Sequence, residues 1–114
     1  QQIIAVEPVK QVEARGKAFD VSNDKAGVMA AAGISPADYP YVDFIVSRES
    51  GWRPTATNGR TWGLCQALPG SKMASAGADW ETNPVTQLRW CSSYASGKGG
   101  WKASYDFWQV NHWW

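Results

Sequence analysis

The chain has 114 residues, a formal net charge of +1 and 18% charged residues. That length gives one domain with a core of modest size, and the near-neutral charge gives no reason to expect a nucleic-acid polyanion as partner. No stretch approaches the roughly 18 apolar residues of a membrane span, so membrane insertion is not expected.

The chain opens Gln-Gln-Ile-Ile without an initiator Met. It is expected to be a processed or excised piece whose targeting segment has been removed. Residues 1–8 read as an extended arm ending at Pro8. Residues 9–19 carry Val9, Val12, Ala14 and Phe19 among charges, the pattern of a short amphipathic helix that Gly16 weakens. A second helix is expected from Asn23 or Asp24 to Ala32, with Asn23 as a cap, Gly33 just past the end, and Val28, Met29 and Ala32 facing inward. Ser35-Pro36-Ala37-Asp38 has the form of a helix start, but Pro40 interrupts it. The main helix is therefore placed from about Pro40 to Ser50, stopped by Gly51.

Residues 53–62 are polar and turn-rich. Asn58-Gly59 is a tight-turn signal that also suits one small β-hairpin. A helix is expected to start within 63–68, checked by Pro69-Gly70, and a short one from Ser71 to Ala76. Asn83-Pro84 opens a longer helix with Val85, Leu88, Cys91 and Ala95 at helical spacing, running to about Ser96. A last helix covers Trp101 to Val110, with Phe107 and Trp108 inward. The whole reads as compact and mainly α-helical.

Within the main helix, Val42, Ile45, Val46 and Glu49 fall at i, i+3, i+4 and i+7, on one face. Three are apolar and the fourth is an acid, an expensive group to bury without a partner or a purpose. Burial and the negative end of the helix dipole both favour its neutral form, the form a general acid needs. Arg48, about 100° round the helix, is expected to point to solvent. A carboxyl that merely caps a turn is the bland alternative. None of the other nine acids sits on an apolar helical face. The lone His112 stands beside no nucleophile, there is no phosphate-binding loop, and no set of metal ligands occurs, so neither a metal nor a cofactor is expected.

Eight tryptophans are the compositional outlier. Most are expected in the core, and some along a groove, where flat rings suit the apolar faces of sugars and keep an N–H for hydrogen bonding. Cys65 and Cys91 read either as two buried thiols or as one disulfide.

Glu49-Ser50-Gly51, Gly63-Leu64-Cys65-Gln66-Ala67-Leu68-Pro69-Gly70-Ser71 and the Asn83-Pro84 helix start together resemble the goose-lysozyme-like lytic transglycosylase domain. The nearest resemblance is to the C-terminal domains of aggregation-promoting-factor-like secreted proteins of Gram-positive bacteria and to phage lysins. It spans Met29 to Trp114, which divides the chain into an uncovered N-terminal arm and helix (1–25) and a lysozyme-like catalytic domain (26–114).

The resemblance implies an α-fold with a groove for peptidoglycan glycan strands. Glu49 would be the sole catalytic carboxylate, protonating the bond between N-acetylmuramic acid and N-acetylglucosamine, then acting as base to form a 1,6-anhydro product. Gln66, Tyr105, Ser50, Trp62, Trp108 and Asp106 are the residues assigned to the substrate. Tyr105 is placed to hydrogen-bond Glu49 or the sugar. Asp106 stands where the family often has Asn. It keeps open a hydrolytic muramidase with a second carboxylate, and a non-catalytic wall-binding module is the other alternative. A Cys65–Cys91 disulfide would fasten the groove floor to the Asn83-Pro84 helix. The implied setting is extracellular or cell-wall associated, bacterial or phage-encoded, with the protein acting as a monomer.

Overall fold

The structure is a computed structural model that describes residues 24–114. The expected N-terminal arm and the helix over 9–19 lie outside the described residues, as does Asn23. The described chain is compact and mainly helical, with four α-helices and two short 3-10 helices.

Helix α1 is Lys25–Ala31. Asp24 caps it, its carboxylate accepting from the Gly27 amide at 3.2 Å. Val28 and Met29 are buried, and Ala32 packs on the core edge. A 3-10 turn at Pro36–Asp38, capped by the Ser35 hydroxyl, leads directly into α2, Tyr39–Ser50. Pro40 sits in the first turn of α2, where the missing N–H costs nothing. The helix stops at Gly51, which takes a left-handed conformation at φ 65°.

A second 3-10 helix spans Gly70–Ala76. Helix α3 is Pro84–Ser96, with the Asn83 side chain accepting from the Val85 amide. Helix α4 is Trp101–Asn111. Helix α2 packs on α4, while α3 packs on α1, on α4 and on the second 3-10 helix. Val42, Ile45, Val46, Leu88 and Ala95 are fully buried where these helices meet.

The segment 63–68 is not a helix, contrary to the sequence pattern. Trp62 and Ala67 exchange both backbone hydrogen bonds, at 3.1 and 3.0 Å, around a tight turn. Within it Gly63 and Gln66 have φ of 87° and 54°, outside the right-handed helical region. Thr57 also bridges Trp62, so the loop carries two isolated bridges and no extended strand. No described helix is long and apolar enough to cross a membrane.

Candidate active site around Glu49

Glu49 is in the last turn of α2 and is fully buried. The same face buries Val42, Ile45 and Val46, as the spacing predicts. Its Oε2 accepts from the indole N–H of Trp108 on α4 at 3.2 Å. Its Oε1 has no hydrogen-bond partner among the described residues. Burial pushes the carboxyl up from its ordinary 4.5 to about 7, with the Trp108 hydrogen bond pulling the other way. Near neutrality the group can therefore both lose and take up a proton, and Oε1 is a buried oxygen left unpartnered among the described residues.

The wall beside this carboxyl is aromatic. Phe44 meets Trp108 edge-on, with ring centroids 5.4 Å apart, and Tyr105 meets Phe44 edge-on at 4.9 Å. Tyr41 lies against Tyr105 at 5.0 Å. Arg48 is exposed, and its guanidinium stacks 3.6 Å over Phe44 and makes no ion pair with Glu49.

The other residues assigned to the substrate are distributed unevenly. Trp108 is at the site, but as a buried hydrogen-bond donor to Glu49 and not as an open platform for a sugar. Tyr105 borders the site through its ring, and the hydrogen bond expected from it to Glu49 comes from Trp108 instead. Ser50 is buried, its hydroxyl 2.8 Å from the Leu64 carbonyl, which ties the end of α2 to the following loop.

Gln66 is fully buried. Its amide nitrogen donates to the Ala56 and Gly63 carbonyls at 2.9 and 2.8 Å, and its carbonyl accepts from the Thr61 hydroxyl. Both amide protons are taken, so in this structure Gln66 organises the loop and holds no amide proton free for a substrate. Trp62 is half-buried on the same loop and donates to the Glu81 carbonyl at 2.9 Å. Asp106 is exposed and paired with Lys102 at 2.9 Å. It lies about 200° around α4 from Trp108, so the structure does not bring it to Glu49 as a second carboxylate.

Cys65 and Cys91 form a disulfide, as expected, joining the loop to α3. Gln87 is a residue the sequence pattern left unremarked. It is fully buried, accepts from the Leu64 amide at 2.9 Å, and donates to the Pro54 and Trp80 carbonyls, each at 2.9 Å. Its signal is the one that singled out Glu49: a polar residue on the buried stripe shared with Leu88, Cys91 and Ala95. Among the described residues no three His, Cys, Asp or Glu side chains gather as a metal site. No family model, curated protein or solved structure matches the chain.

Proposed function

We propose that this protein cleaves the glycan backbone of peptidoglycan, as a lytic transglycosylase acting between N-acetylmuramic acid and N-acetylglucosamine. Glu49 protonates the glycosidic oxygen as its bond to the muramyl C1 breaks, and the substrate's N-acetyl group steadies the charge left at C1. The Glu49 carboxylate then takes the proton from the muramyl 6-hydroxyl as that oxygen bonds to C1. The acid is regenerated, no water is consumed, and a 1,6-anhydro end forms. The N-acetyl group takes the place of the second carboxylate of the usual scheme.

The observation that carries this reading is a single buried carboxyl, raised to about 7, with one oxygen unpartnered among the described residues and an aromatic wall beside it. The Lys102–Asp106 pair weighs against a hydrolytic scheme that uses Asp106. The Cys65–Cys91 disulfide suits an oxidising, extracellular setting at the cell wall, where a monomer would act on the glycan without a metal or cofactor.

The test is clearing of purified cell walls by the wild type and by Glu49→Gln, which keeps size and polarity but cannot donate the proton. Wild-type clearing that Glu49→Gln lacks, with anhydromuramyl ends in the products, is expected. Equal clearing by both proteins removes Glu49 from the chemistry. Reducing ends indicate hydrolysis, and wall binding without clearing by either indicates a binding module.

A further inference from the structure

The two oxygens of Glu49 have unlike surroundings. Oε2 receives the Trp108 N–H, and Oε1 is buried with no hydrogen-bond partner among the described residues. A neutral carboxyl has one oxygen that only accepts and one that carries the proton, whereas an indole N–H only donates. The indole therefore selects the oxygen without the proton. We infer that Trp108 is a positioning residue: its N–H holds Oε2 as the acceptor and confines the transferable proton of Glu49 to Oε1. This rests on the reading of Glu49 as acid and base, and deepens it.

The consequence runs through both halves of the reaction. While Glu49 is neutral, the unpartnered oxygen carries the proton and has no acceptor among the described residues. Once that proton has left, the bond from Trp108 to the carboxylate becomes charge-assisted and shortens. Oε1 then stands ready to accept from the incoming hydroxyl. One oxygen serves twice without a turn of the carboxyl.

The indole is itself fixed. Phe44 meets its ring edge-on, His112 tilts against it at 5.4 Å, and Trp108 is only 8% exposed. Among the described residues, few charged groups stand close enough to compete. Arg48 lies over Phe44, with its guanidinium 5.8 Å from the Trp108 ring centre. Tyr105 packs against Phe44, and Tyr41 packs against Tyr105. Lys102 and Asp106 pair with each other on α4, Lys25 of α1 pairs with Asp43, and Asp38 is at the opposite end of α2. None of them bonds to the Glu49 carboxyl.

The wild-type protein allows a direct test. The Trp108 indole N–H resonance, followed by NMR through the neutral range, should shift with a midpoint of about 7 as Glu49 ionises. The shift should vanish in Glu49→Gln and survive in His112→Gln. A resonance that stays still, or a shift that survives Glu49→Gln and is lost with His112, overturns the inference.

The second arm uses the pH profile. Trp108→Phe keeps a ring but deletes the donor that favours the carboxylate. The alkaline limb of kcat/KM should therefore move up by roughly one pH unit, and the plateau should fall about tenfold. Phe44→Leu loosens the same wall and should lower the melting temperature without moving that limb. An unmoved limb in Trp108→Phe overturns the inference, and if that variant does not fold the resonance decides. Wild-type inactivity on cell walls would remove the enzymatic reading alone, because the resonance is read without substrate.

Discussion

Glu49 shows how a single residue couples stability to proton binding. Its carboxyl rises from 4.5 to about 7 on folding because burial penalises the charge. Between those values the folded protein binds a proton that the unfolded chain has released, so stability falls as pH rises through this window. The full cost above pH 7 is about 3 kcal/mol, a large fraction of what a domain of this size has. Glu49→Gln carries no ionisable group and escapes that cost. Urea unfolding should show wild type and variant nearly equal in mild acid, with the variant more stable by about 1–3 kcal/mol in mild alkali. Equal stability at both pH values would mean that the carboxyl is solvated when it ionises. The acid was legible in the sequence because helical periodicity is a local signal. Its partner was not: Trp108 lies on another helix, and no spacing rule joins positions 49 and 108.

At the scale of elements, the helices were legible and the loop between α2 and α3 was not. Caps, prolines and glycines marked α1 to α4 to within about two residues. The 63–68 segment, expected to start a helix, is apolar at Leu64, Cys65, Ala67 and Leu68. It is instead wound around two buried amides, Gln66 from inside the loop and Gln87 from α3. Apart from the Thr61 hydroxyl, their partners are backbone groups, which look alike in any sequence, so the pattern of side chains gave little warning. Gln66 thus serves the loop's own geometry, through bonds to Ala56, Gly63 and Thr61. Gln87→Leu is nearly isosteric but would leave the Leu64 amide and the Pro54 and Trp80 carbonyls without their bonds. A loss of about 2–4 kcal/mol in chemical denaturation is expected. A loss below about 0.5 kcal/mol would mean that water replaces the amide and that the loop does not depend on it.

At the scale of the whole molecule, Cys65 is where the chain's distant parts are tied. Its sulfur is bonded to Cys91 on α3, and its carbonyl accepts from the Trp114 indole at 3.2 Å. Trp114 is fully buried, stacked on Trp101 of α4 at 5.5 Å and met edge-on by Tyr94 of α3. Its main-chain oxygen accepts from the Tyr94 hydroxyl at 2.8 Å and from the Lys98 ammonium at 2.6 Å. One covalent and one non-covalent tie thus hold the same loop residue to the helices, and they should not act independently. The disulfide is worth about 3–4 kcal/mol on the chain-entropy estimate. Trp114→Phe removes the N–H and part of the ring, and in the oxidised protein, where the disulfide still holds Cys65, it should cost about 1–3 kcal/mol. In the reduced protein the indole is the remaining anchor of Cys65, and the same substitution should cost about 1 kcal/mol more. Urea unfolding of both proteins, with and without reductant, measures all four corners of this cycle. Equal losses from Trp114→Phe in the oxidised and reduced states would show that the two ties hold the loop separately.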